Sequence, residues 1–125
     1  MQRPRSIALD FDGTVFAGEF TRADEVVGPA HPGAMEWIRE QLEAGVTIIL
    51  HTCRLTPYYP GSYWRDHADS ASVQAALSAW FGQWLTADEL AQLEWWTHPG
   101  KPAADLYLDD KGFRFEGKFP RFLFL

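Results

Sequence analysis

The sequence predicts an α/β fold organised around a mostly parallel sheet of five strands, and three observations carry that prediction. Short apolar runs alternate with segments of helical periodicity along most of the chain, the pattern of strand–helix–strand units. The runs Ile7-Ala8-Leu9 and Val46-Thr47-Ile48-Ile49-Leu50 are almost wholly apolar, as strands covered on both faces of a parallel sheet are. Three of the predicted strands end in polar residues: Asp10, Thr52 after His51, and Asp109-Asp110. In open α/β sheets ligands collect beyond these carboxyl ends, where strand order reverses.

Ser6 to Asp10 reads as the first strand. From Gly13 to Pro32 the pattern breaks into Gly, Pro and polar residues, with Val15-Phe16 and Val26-Val27 as arms of a small hairpin or flap over about 13–31. Pro32-Gly33-Ala34 opens a helix in which Met35, Ile38 and Leu42 share a face and Gly45 supplies the stop. Val46 to Leu50 is the second strand. About 55–69 is an aromatic loop containing Tyr58, Tyr59, Tyr63 and Trp64, and loops of that length inside a compact domain tend to be functional. A helix from about Ser72 to Leu85 presents a broad apolar face. Thr86-Ala87-Asp88-Glu89 has the spacing of a capping box and starts a short helix to about Leu93. Glu94 to Thr97 is the third strand, His98 to Pro102 a rigid turn, and Leu106-Tyr107-Leu108 the fourth strand. The Phe-rich tail, 112–125, alternates as a fifth, edge strand would before an apolar end.

With 125 residues, 46% of them hydrophobic, the chain is one domain, 1–125, able to bury a real core. A formal charge of −6 argues against indiscriminate binding to nucleic acid or anionic membrane. The single Cys53 permits no internal disulfide. The N-terminal stretch leads straight into a strand and no apolar run approaches the ~18 residues of a span, so a cytoplasmic location is expected.

The carboxyl edge of the sheet is expected to gather four carboxylates (Asp10, Asp12, Asp109, Asp110), the hydroxyls of Thr14 and Thr52, the Lys101 ammonium and the Arg54 guanidinium. Clustered carboxylates suit a hard divalent cation such as Mg²⁺. Lys, Thr hydroxyls and backbone N–H groups suit phosphoryl oxygens. Gly13 lets the chain turn tightly after the Asp-x-Asp pair. Taken singly, these residues have bland readings. Lys101 would be a solvated turn lysine, Thr52 a strand-end hydroxyl, Cys53 a small hydrophobe, and Arg54 as readily a structural ion pair as a substrate grip. His51 is expected to pack at a strand end, His31, His67 and His98 to sit in loops, and the Trp80–Trp84 pair to serve core or oligomer contact.

Asp10-Phe11-Asp12-Gly13-Thr14, Thr52, Lys101 and Asp109-Asp110 resemble, in order and strand placement, the four motifs of the haloacid dehalogenase (HAD) superfamily of aspartate-nucleophile phosphohydrolases. The stretch from Gly100 to Phe115 is similar to small capless phosphatases and to phage or bacterial polynucleotide-kinase phosphatase domains. The resemblance implies a three-layer α/β/α Rossmann-like core with no cap domain and a Mg²⁺-dependent phosphatase. In it Asp10 is the nucleophile, Asp12 the general acid/base, and Thr52 and Lys101 hold the transferring oxygens, with Gly13, Thr14, Cys53 and Arg54 nearby for substrate. Asp10, Asp12 through its main chain, and one or both of Asp109 and Asp110 bind the metal. Asp12 is expected to be kept protonated part of the time. The substrate is a sugar phosphate or nucleotide, or a phosphorylated polynucleotide end, with the acidic charge favouring small phosphates and a homo-oligomer as one way to wall the open site. A nucleotidase stacking bases on the aromatic loop is the nearer alternative. A receiver-like phospho-acceptor signalling domain is the non-enzymatic one, but it would carry its acidic pair after the first strand rather than the last.

Overall fold

A computed structural model describes residues 4–55, 69–112 and 114–121. Among these residues the chain forms β1 (Ser6–Leu9), α1 (Ala34–Glu43), β2 (Thr47–Leu50), a 3₁₀ turn (Cys53–Leu55), α2 (Ser70–Phe81), α3 (Ala87–Gln92), β3 (Glu94–Trp95) and β4 (Leu106–Leu108). The strands make one parallel sheet in the order β3-β2-β1-β4. The chain therefore steps outward from β1 through β2 to β3, then returns to the other side of β1 for β4. Strand order reverses between β1 and β4, and a crevice opens at their carboxyl ends.

Alternation along the strands sorts their side chains. Ile7, Leu9, Ile48 and Leu50 enter one core cluster together with Met35, Ile38 and Leu42 of α1 and Val73, Leu77, Trp80 and Phe81 of α2. Both longer helices therefore cover the same face of the sheet. On the other face Ala8 and Ile49 are buried and Tyr107, in register with Ala8, donates its hydroxyl to the Pro102 carbonyl at 2.5 Å. The link from β3 to β4 contains no helix, so the described residues form a helix layer on one side and a coil segment with buried Pro102 on the other. The expected second helix layer is absent among them.

Local chemistry accounts for the element ends. Gly45, at φ +81°, stops α1 as expected. The α2 helix begins at Ser70, earlier than the periodicity suggests, because the Asp69 carboxylate accepts the Ser72 N–H at 2.7 Å. It ends at Phe81, with Gly82 as its C-cap, rather than running to Leu85. The capping box forms at α3, where Thr86 Oγ1 accepts the Glu89 N–H at 3.2 Å and Glu89 returns the bond to the Thr86 N–H at 2.8 Å.

Two expectations are corrected. The flap arm opposite Val15-Phe16 is 29–31, not Val26-Val27: the Ala17 N–H donates to the Pro29 carbonyl and the His31 N–H to the Val15 carbonyl, each at 2.8 Å, while Val27 is 78% exposed. The Phe16 ring sets this register, since it fills the space that side chains at Gly18 and Gly28 would need. The fifth strand does not form over residues 114–121, which have no ladder partner and turn at Gly117 (φ +92°). There the Phe115 and Phe119 rings meet each other at 5.1 Å, a spacing of four residues rather than strand alternation. The aromatic loop's Tyr58, Tyr59, Tyr63 and Trp64, His67, and the tail residues Phe113, Phe122 and Phe124 lie outside the described residues. No helix among the described residues is long and apolar enough to cross a membrane.

Candidate functional site

Asp10 and the Asp109-Asp110 pair flank the β1/β4 crevice because the parallel ladder runs up to them. The Asp10 N–H donates to the Leu108 carbonyl at 3.0 Å, and the His51 N–H to the Leu9 carbonyl at 2.9 Å. An open cleft of about 420 Å³ lies over these ends. Asp10, Asp109, Asp110 and Cys53 line it, joined by His51, Tyr107 and Lys111.

Asp10 is half-buried, and its carboxyl is pushed up to about 6, by burial first and then, against a lowering hydrogen bond from the Phe11 backbone, by the charges of Asp110, Asp109 and Asp12. Gly13, at φ +82°, lets the Asp110 carboxylate lie against its Cα, where a Cβ would collide with it. Thr14 Oγ1 stands 3.5 Å from Asp10 Oδ2, at the long limit of a hydrogen bond. Asp109 turns its Oδ1 to the N–H groups of Lys111, at 2.8 Å, and of Gly112. The late pair therefore divides: Asp110 faces the Asp10 turn and Asp109 ties its own turn.

The remaining expected residues fall into two groups. Lys101 is not among the residues that line the cleft, and its Nζ lies 4.9 Å from the centre of the ring of Tyr107, which does line it. Lys101 is near enough to His51 to help lower that imidazole's pKa, burial being the larger cause. Thr52 is 3% exposed and its Oγ1 accepts the Arg54 N–H at 3.2 Å, so its oxygen caps the 3₁₀ turn instead of lining the cleft. Arg54, expected among the substrate contacts, has a side chain with no solvent exposure. Its Nε and Nη2 hold the two Asp12 oxygens at 2.9 and 2.8 Å, and its Nη1 donates to flap carbonyls. A guanidinium so enclosed cannot reach a ligand in the cleft, which removes it from the substrate set. The Cys53 thiol is exposed and its pKa is raised, by burial of part of the group and then by Asp10 and Asp12.

The expected metal set is Asp10, Asp12 through its main chain, and one or both of Asp109 and Asp110. Among the described residues no group of three or more His, Cys, Asp or Glu side chains converges to cage a metal ion. The Asp12 carboxylate is turned to Arg54 and that of Asp109 to the backbone. Asp10 and Asp110, with the Asp109 oxygen that does not tie the turn, are the side-chain oxygens at the cleft, a donor type suited to Mg²⁺, which commonly takes one or two carboxylates and keeps several waters. Burial is the larger cause of the Asp10 shift, and the like charge that adds to it is what a bound cation would relieve.

Tyr107 and Lys111 are cleft residues that sequence patterning passed over, and His51, expected to pack at its strand end, also lines the cleft. A strand-end position next to Thr52, and a Lys directly after the acidic pair, are the signals that point to two of them. No family model, no curated protein and no solved structure matches this chain.

Proposed function

We propose that the chain is a Mg²⁺-dependent phosphomonoester hydrolase of the HAD type, without a cap domain, working through an aspartyl-phosphate on Asp10. The observation that carries this reading is the meeting of Asp10 with the Asp109-Asp110 pair across the β1/β4 crevice of a parallel sheet. Residues separated by about a hundred positions meet where open α/β sheets bind ligands, and their mutual repulsion is difficult to explain as packing.

In the proposed reaction an Asp10 oxygen attacks phosphorus in line, the bond to the ester oxygen breaks, and Asp12 gives its proton to the departing alkoxide. Water then attacks the phosphoryl group, Asp12 takes its proton, and inorganic phosphate leaves with the Asp10 carboxylate restored. Mg²⁺ held by Asp10, the Asp12 main-chain carbonyl and Asp110 would neutralise the charge that otherwise repels an anionic ester from an anionic nucleophile. Lys101, against the Tyr107 ring, would supply a cation for the phosphoryl oxygens, and Lys111 is an ammonium-bearing residue on the cleft wall. The acidic chain favours small phosphates, with a nucleotide or a phosphorylated polynucleotide end as the alternative within the same mechanism. The second carboxylate two residues from the nucleophile favours hydrolysis over storage of the phosphoryl group, which weighs against a receiver-like signalling domain.

Release of inorganic phosphate from a panel of sugar phosphates, nucleotides and phosphorylated oligonucleotides, with and without Mg²⁺, tests the reading. Turnover that needs Mg²⁺ and vanishes in Asp10→Asn is expected. No turnover of any ester, or turnover retained by Asp10→Asn, defeats it, and a phosphoryl group trapped on the protein for many minutes would support the signalling alternative.

A further inference from the structure

Arg54 is the one described residue that touches both Asp12 and the flap tip with a buried charge. Its planar fork spends one edge, Nε and Nη2, on the two Asp12 oxygens. From its other end Nη1 donates to the main-chain carbonyls of Arg22, Ala23 and Glu25 at 2.8, 3.3 and 3.1 Å. The guanidinium carbon lies 4.7, 5.4 and 5.5 Å from the ring centres of Phe20, Phe11 and Phe16, so aromatic faces replace the water it has lost. Its own N–H is tied to Thr52 Oγ1. An isolated charge in that setting would be costly, and Asp12, with a side chain 34% exposed, is its counter-ion on the wetter side.

We propose, building on the phosphatase reading, that Arg54 is a positioning residue for the acid/base Asp12: it fixes the direction of that carboxylate and seats the flap in the same contact. A bidentate pair uses one acceptor site on each Asp12 oxygen and leaves the others for a leaving-group oxygen or a water. Rotation of Asp12 away from Arg54 would leave a fully buried guanidinium without its counter-ion, so the side chain that the flap carbonyls hold in place also holds Asp12. Lysine carries the charge but not the fork, and therefore cannot reproduce the contact.

The test exploits what a general acid does. An aryl ester such as p-nitrophenyl phosphate departs without protonation, whereas an alkyl ester such as glycerol phosphate needs it. Arg54→Met and Arg54→Lys are compared with the wild type on both esters, with Asp12→Asn and the Asp12→Asn/Arg54→Met double variant, folding being followed by thermal melting. The expected outcome for Arg54→Met is a kcat/KM loss of roughly 100-fold on the alkyl ester, in line with a displaced catalytic group, and a much smaller kcat/KM loss on the aryl ester, because kcat/KM covers only the steps through departure of the ester oxygen and leaves out the water attack that both esters share. Arg54→Met should add nothing in the Asp12→Asn background. If Arg54→Met does not fold, Arg54→Lys carries the same comparison. Equal kcat/KM losses on the two esters, additive losses in the double variant, or full alkyl-ester activity in Arg54→Lys would overturn the positioning role while leaving the phosphatase reading intact. A wild type that hydrolyses neither ester would overturn that reading, and this role with it.

Discussion

Asp10 shows how much the proposed function asks of a single side chain. In the unfolded chain its carboxyl ionises near 3.8, and in the fold only at about 6, because burial and three neighbouring carboxylates disfavour the charge. The unfolded state therefore sheds its proton first, and the metal-free fold loses stability as pH rises between those two values and gains no further penalty above them. Thermal melts in a chelating buffer should show the wild-type Tm falling through this window, whereas Asp10→Asn, which carries no charge to penalise, should lack that fall and melt higher than the wild type above pH ~6. A wild-type profile parallel to that of Asp10→Asn would contradict the crowded-carboxylate picture. Gly13 makes a matching demand. At φ +82° and in contact with the Asp110 carboxylate, Gly13→Ala should cost roughly 1–2 kcal/mol from backbone conformation alone and displace Asp110 as well, measurable as a drop in denaturation midpoint together with lost turnover. These two positions are legible in the sequence, since an Asp-x-Asp-Gly at a strand end leaves few conformations open. The burial of Arg54 and the turning of Asp12 toward it are not, because they depend on flap carbonyls some 30 positions away that carry no sequence identity of their own.

Elements held by local rules match their sequence signals, and those held by distant partners depart from them. The capping box at α3 is set by residues three apart, and it appears with both bonds in place. Glu89 also reaches out of its helix: its carboxylate takes Arg39 Nε of α1 at 2.7 Å, while Arg39 Nη2 donates to the Trp84 carbonyl at 2.9 Å. Its carboxyl is held down to about 2, by the Arg39 hydrogen bond first and the Thr86 N–H next. Thr86→Ala should cost about 1 kcal/mol, the usual worth of a cap, seen as a lower urea midpoint with an unchanged slope. Glu89→Gln should weaken the fold at neutral pH by an amount that fades as pH falls below 4.5 toward 2, because the wild-type carboxylate then loses its own charge. The flap is the contrary case. Its register follows the Phe16 ring, which is stacked on Phe11 at 5.2 Å and edge-on to Trp80 at 5.5 Å, and the Trp80 indole donates to the Gly28 carbonyl at 2.8 Å. Trp80 thus serves the core and anchors the flap from α2, a role no periodicity reveals.

For the whole molecule, a cation bound at the β1/β4 crevice stabilises the fold in proportion to its affinity, by roughly 2.7 kcal/mol at a hundredfold excess over Kd. Mg²⁺ should therefore raise Tm in the wild type, and Asp10→Asn or Asp110→Asn should abolish the rise. Asp109→Asn should keep much of it while lowering the starting Tm, since that carboxylate ties the turn at Lys111 and Gly112. An absent wild-type response, or equal responses in all three variants, would argue against the proposed division of labour.

The α/β class, the four strands and three helices, and the acidic residues at strand ends were all readable along the chain, because hydrophobic period, caps and glycine stops act over a few residues. The order β3-β2-β1-β4 that brings Asp10 and Asp110 to one crevice, the placing of both longer helices on one face, and the choice of Arg54 as Asp12's partner rather than the substrate's required the folded chain. Each is decided by which surfaces exclude water from one another across dozens of residues, and that competition among distant contacts leaves no local trace in the order of amino acids.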